Sequence, residues 1–426
     1  MAVAVTRFGL GRRGAESLPA DPRRWLASQL DGPDPALPRP GADAAAGLTA
    51  LREDWRERRE GGEPARVRTL FRTEAEAARD RLIETQAGFR ERLVWFWANH
   101  FTVSLRRGPL HALAFAYVRE AIRPHVGGRF ADMLLAVARH PAMLLYLDNA
   151  ASIGPDSAAG RRTGRGLNEN FARECLELHT VGRDAGYTQA DVTAFAAVLT
   201  GWGVRRGGIA PGFAFFPHRH QPGAKTVMGR VFAEGEDGGI AALRWLGTHP
   251  ATYRRLAAKL AGHFIADDPP PDAVRLLAGV LRDSGGDLRE TCRALLRLPE
   301  AWRPLCKFRT PFDYAVAVLR ALDLPAQARP PLVPVTARLG QPWLSAPLPN
   351  GWPEDAADWC DGELLLRRAD WALAIAGRAT EGDPMDVAQA ALGPLLDAGT
   401  MQAMRRAGSR REALALLLAG PAFFRR

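Results

Sequence analysis

The chain has 426 residues, 57 of them lysine or arginine against 47 aspartate or glutamate, for a net charge of +10. Only Lys225, Lys259 and Lys307 are lysines, and the arginines alternate with acids, as in REDWRER at 52–58. That pattern is an ion-paired surface rather than a stripe that tracks phosphates, so nucleic acid is not an expected partner. Alanine, leucine and arginine outnumber β-branched residues, which favours helices over sheet.

In chain order, 1–45 reads as a loop-rich segment punctuated by Pro33, Pro35, Pro38 and Pro40, with a short helix near 23–30. Its start, MAVAVTRFGLGRRGAESL, carries no signal-length apolar run, so a cytoplasmic location is expected. Helical patterns follow at 44–59, 73–97, 110–122, 129–138 and 141–149, then a Gly/Ser/Arg loop at 151–167. A polar helix, NENFARECLELHT, covers 168–180 and ends near Gly182. Thr188 opens the next helix with a capping-box pattern to Asp191, and Tyr187 and Val192 form its hydrophobic staple. Between 203 and 233 glycine and aromatics rise, which predicts a short β-hairpin-like insertion near 210–232. Proline marks helix starts in HPA at 140–142, HPA at 249–251 and LPE at 298–300.

GDLRETCRALLRLPEAWR (286–303) aligns without gaps to GSRREALALLLAGPAFFR (408–425), which predicts two related helical hairpins. The fold class is therefore mostly α, a large multi-helix domain with one short insertion. The main helical domain is expected over 46–323, a Pro/Gly-rich linker over 324–354, and a C-terminal helical subdomain packed on the main one over 355–426. No stretch approaches the roughly 18 apolar residues of a membrane span.

The chemistry concentrates in a few places. At about 100° per residue, Glu169, Arg173 and Glu177 form one i, i+4 ladder, with Asn170 and Glu174 on the adjacent row and Phe171, Cys175 and Leu178 opposite. Asn168 precedes the ladder and His179 lies near the helix end. A solvated ladder explains the first three residues; it does not explain the rest. Asn99 and His100 sit inside the aromatic run WFWANHF (95–101), the setting of a hydrogen-bonded core pair. His218 and His220, two apart, point to one face if they lie on a strand, and could share a divalent metal with a third ligand from Glu174, Glu177, His179 or His100. Asp148 and Asn149 read as a helix-end turn. No CxxC pair joins the four cysteines, and the P-loop, GxGxxG, GxSxG and HExxH signatures are absent.

The block LNENFARECLELHTVGRDAGYTQADVTAFAAVLTGW (167–202), with WFWANHFTVS (95–104), residues 140–155, HQPGAKTVMG (220–229) and THPATYRRLAAKL (248–260) in the same order, resembles the bacterial family named domain of unknown function 1800 (DUF1800). The resemblance implies a mostly helical protein of unassigned activity. It also implies export for many members, and a neighbouring gene for a sulfatase-like protein as a possible partner. Its polar signature falls here on Asn99, His100, Asn168, Glu169, Asn170, Arg173, Glu174, Glu177, His179, Asp191, Trp202, His220 and Lys225. Gln221 stands where the family pattern usually has Asp, which removes one carboxylate from any metal site.

Two functions fit this reading. An enzyme would bring His100, Glu174 and His220 into one site with Lys225, using Glu174 as general base or metal ligand and Arg173 as an anion clamp. A scaffold or accessory binding protein would use the same residues as a buried polar cluster that fixes helix register. The absence of a reaction motif favours the scaffold.

Overall fold

The computed structural model describes residues 1–36, 41–208 and 210–426. Pro38 and Pro40 of the N-terminal stretch lie outside the described residues. Helices of all kinds hold 60 % of the chain, so the fold is mostly α.

Local chemistry sets the helix limits. The periodic stretch 73–97 is two helices, Arg66–Glu84 and Gly88–His100. The break falls where the Thr85 hydroxyl accepts the Ala87 amide at 3.1 Å, a turn that competes with the helix ladder. Arg320 then satisfies the freed carbonyls of Leu82, Ile83 and Thr85 at 3.1, 2.7 and 3.0 Å. The two HPA motifs open Pro141–Tyr146 and Pro250–Phe264, and in each the histidine Nδ1 accepts the amide two residues on. LPE instead opens a single 3₁₀ turn, Pro299–Trp302. The 151–167 loop contains the short helix Ala158–Thr163, capped by Ser157.

The expected single hairpin is two. Strands β1 (Trp202–Arg205) and β2 (Gly212–Phe215) pair antiparallel, as do β3 (Lys225–Val227) and β4 (Arg230–Phe232). The insertion thus begins at Trp202, earlier than composition placed it, because Gly201 takes φ +83° and turns the chain straight from helix into strand.

Two hydrophobic clusters build the interior. One gathers Phe89, Leu93, Trp97, Phe101, Phe130, Phe171, Phe195 and Phe264. The other gathers Leu82, Ile83, Tyr314, Val318, Trp343, Trp371, Leu417 and Phe423. The helix Leu288–Arg297 feeds the first and its sequence relative, Arg410–Leu418, the second. Within 324–354, Leu324, Leu332, Leu339 and Trp343 are buried in the second cluster. Trp95 packs against both clusters and so marks the seam between them.

Candidate functional site

The polar helix is α only over Asn170–Glu174 and continues as a π-turn, Cys175–His179. Its wider spiral is closed by the Thr180 hydroxyl donating to the Cys175 carbonyl at 2.7 Å and the Gly182 amide to the Leu176 carbonyl at 2.9 Å. The change of pitch cuts the expected ladder. Arg173 pairs with Glu169 at 2.9 Å, whereas Glu177 takes the Arg183 Nε at 2.6 Å. Glu169 also accepts from Thr193 Oγ1 at 2.6 Å and Gln189 Nε2 at 2.8 Å. Those bonds fasten this helix to the next one, Gln189–Val198, and hold the carboxyl below its usual range. Asn168 Oδ1 accepts the Asn170 amide, and its own amide donates to Ser152 Oγ, each at 3.0 Å.

Glu174 differs from its neighbours. It is half-buried, makes no hydrogen bond among the described residues, and its pKa is raised, first by burial and then by Glu177.

His179 is 0 % exposed and neither ring nitrogen has a partner among the described residues. His100 Nε2 lies 3.2 Å from the His179 carbonyl, with the two rings 6.2 Å apart. Burial first, then nearby Lys259, drives both histidines toward the neutral form, His179 to about 3.

His220 is a clasp. Its Nδ1 donates to the Thr200 carbonyl at 2.8 Å, so Nε2 is the acceptor, taking the Gly235 amide at 3.0 Å and Lys225 Nζ at 3.1 Å. Lys225 also donates to the Gln221 carbonyl, and burial lowers its pKa. The strand expected to align His218 with His220 is instead a 3₁₀ turn, Pro217–Arg219, because proline favours a turn start over a ladder position. His218 is exposed against Phe216 while His220 is buried. No group of three or more His, Cys, Asp or Glu among the described residues is placed to hold a metal ion. His100, Glu174 and His220 have different partners among the described residues: the first lies among Trp97, Phe101 and Phe130, the second near Tyr146 and Glu177, the third against Thr200 and Lys225. Asn149 is also structural, donating to the carbonyls of Leu199 and Trp202 at 3.1 and 3.0 Å.

A cleft opens at the seam between the two hydrophobic clusters. Gly88–His100 supplies Trp95, Phe96 and Asn99; Pro311–Leu322 supplies Phe312 and Asp313; the chain from Gln341 to Glu354 forms the facing wall. Asn99 fixes that wall. Its Nδ2 donates to the Trp352 carbonyl and its Oδ1 accepts the Trp352 amide, both at 2.8 Å. Arg92 Nη1 holds both oxygens of Asp313 at 3.0 Å, with Arg426 Nε 3.1 Å away. These cations outweigh burial and keep Asp313 ionised. His263 Nδ1 lies 2.5 Å from Glu354 Oε2. Burial lowers His263 to about 4, and its contact helps hold Glu354 below the usual carboxylate range despite burial.

Sequence reasoning reached Asn99 but passed over His263, Glu354, Trp343 and Trp352. Their signal was faint: one histidine ending an apolar helix, and GWPE inside a stretch that reads as linker.

The geometry is that of a mostly helical protein with an aromatic cleft at the seam between its two hydrophobic clusters. A family model described as "Protein of unknown function (DUF1800)" matches residues 3–425, and the chain belongs to that family. No curated protein and no solved structure matches the chain.

Proposed function

We propose that this protein is a helical scaffold or accessory binding protein in which the signature block is framework rather than reacting machinery. One observation carries the reading: several of the signature side chains commit their bonds to holding backbone and neighbouring helices. Asn99 holds Trp352, Glu169 joins two helices, Asp191 caps a helix and takes the Met228 amide at 2.6 Å, and His220 closes on Thr200 and Gly235. The family resemblance supplies the class of partner, a sulfatase-like protein.

A second reading, an enzyme, rests on Glu174. It is a half-buried carboxylate without a hydrogen bond among the described residues and with a raised pKa, the condition of a general base or metal ligand.

Thermal denaturation of two variants separates the readings. If the block is framework, Glu169→Gln removes charge-assisted bonds and lowers stability by about 1–2 kcal/mol. Glu174→Gln leaves stability unchanged or slightly higher, because it relieves an unpaired, half-buried charge. Calorimetric titration with Zn²⁺ and Mn²⁺ tests the alternative: a binding heat present in the native protein and lost in Glu174→Gln favours the enzyme. Equal, negligible stability effects of both variants reject the framework role.

A further inference from the structure

Of the three lysines in the chain, Lys225, Lys259 and Lys307, the fold leaves one amine uncommitted. Lys225 is 8 % exposed, and its Nζ is bonded to His220 Nε2 at 3.1 Å and to the Gln221 carbonyl. Lys307 is 0 % exposed, and its Nζ is held by Asp267 and by the Glu354 carbonyl at 3.2 Å. Lys259 is half-buried and makes no hydrogen bond or ion pair among the described residues. Its Nζ is not one of the solvent-inaccessible nitrogens that lack a partner, so this amine reaches solvent.

The helix Pro250–Phe264 places Lys259 one turn after Arg255. Arg255 donates through Nε to the Leu178 carbonyl at 3.3 Å, and its two terminal nitrogens have no hydrogen bond among the described residues. Like charges one turn apart on a helix repel. The carboxylates in range are engaged elsewhere, Glu177 with Arg183 and Glu354 with His263. Asp184, also in range of Arg255, makes no ion pair with it. The helix face therefore offers an anion two cations, one of which is a nucleophile.

We propose that Lys259 is a site of N-acylation by small acyl phosphates, with Arg255 holding the phosphate. The reaction needs a neutral amine. Burial first, then Arg255, lowers Lys259 to about 8. At pH 8 about half of it is then neutral, against under about 1 % of an ordinary lysine. The Nζ lone pair attacks the acyl carbon and forms the C–N bond. The bond from that carbon to the phosphate oxygen breaks, and phosphate leaves with the electron pair. The surplus proton on nitrogen passes to phosphate or water, so an amide and inorganic phosphate result. Arg255 favours this donor over an uncharged one, because a guanidinium binds phosphate through paired N–H bonds. The amide carries no charge, so acylation also ends the repulsion with Arg255. This inference stands on the helix face alone and does not depend on the role of the signature block.

The test treats the full chain with acetyl phosphate at pH 8 and follows acetylation of each lysine by peptide mass spectrometry. In the native protein Lys259 is expected to react at least about tenfold faster than Lys225 or Lys307; in urea the three are expected to react at similar rates. A second arm compares acetyl phosphate with the uncharged donor p-nitrophenyl acetate. Arg255→Gln is expected to lower the ratio of these two rates at Lys259 about threefold or more. A change in the basicity of the amine alters both rates together and leaves the ratio in place. If that variant does not fold, Arg255→Lys serves: it keeps the charge, loses the paired bonds, and is expected to lower the same ratio. Acetylation of Lys225 or Lys307 as fast as Lys259, no acetylation of Lys259, or an unchanged donor ratio in the variant overturns the proposal.

Discussion

Asn99 joins two parts of the chain 253 residues apart, with both halves of its carboxamide on the Trp352 peptide. Removing it leaves a backbone N–H and C=O without partners at the edge of the aromatic cleft. Asn99→Ala is therefore expected to lower stability by about 2–3 kcal/mol. Urea denaturation measures this, and a loss under about 0.5 kcal/mol would show that water replaces the side chain at no cost. The same residue shows what a sequence discloses at this scale. A carboxamide beside a histidine in an aromatic run is legible as part of a network, because such groups need partners when buried. The identity of the partner is not, since nothing local to WFWANHF points to Trp352. His263 and Glu354 were harder still. Each is ordinary in its own stretch, and only the fold brings them to 2.5 Å.

Elements carry the next level of information, and here the failures of sequence reasoning have definite causes. A constant helical pitch placed Glu177 on a ladder with Glu169 and Arg173; the π-turn at Cys175–His179 changes the pitch and hands Glu177 to Arg183. The capping box was legible because its parts lie three residues apart. Thr188 accepts the Asp191 amide at 3.2 Å, and Asp191 Oδ2 accepts the Thr188 amide at 2.8 Å. What the pattern did not disclose is the second use of Asp191. Its Oδ1 takes the Met228 amide at 2.6 Å, where the chain turns between β3 and β4 with φ +48°. The two uses can be separated. Thr188→Ala loses the cap alone and is expected to cost about 1 kcal/mol. Asp191→Ala loses the cap and the hairpin tie, with about 2 kcal/mol expected in total and faster amide exchange confined to β3 and β4. Equal costs and unchanged exchange would mean that the Met228 bond contributes nothing.

For the molecule as a whole, the helical class was legible because it rests on summed propensity, which survives errors in single elements. The burial of charge was not. Arginines that read as a solvated surface include Arg7, Arg92, Arg123, Arg320, Arg368 and Arg426, all buried. With the buried histidines they give the fold a pH dependence whose sign can be worked out. His179 and His263 are lowered to about 3 and about 4 from an unfolded value of 6.5, and His100 moves the same way, burial being the largest cause in each. Between pH 6.5 and about 4 the unfolded chain therefore binds protons that the folded chain refuses, and stability falls as pH falls. Asp313 and Glu354 are shifted down by their cationic neighbours, against burial; what they contribute is present above the unfolded carboxylate value and is lost only under more acidic conditions. The loss between pH 6.5 and about 5 thus belongs to the histidines. Each one contributes up to about 1.4 kcal/mol per pH unit within its window. His179 is the cleanest to remove, since neither ring nitrogen bonds to anything among the described residues. His179→Leu is expected to keep the fold, because a leucine needs no partner in that buried site, and to flatten the stability profile between pH 6.5 and 4 by about that slope. Denaturant titrations of both proteins across the range measure it. An unchanged slope in the variant would place the acid sensitivity on His263 and His100 and leave His179 charged or hydrated in the native protein.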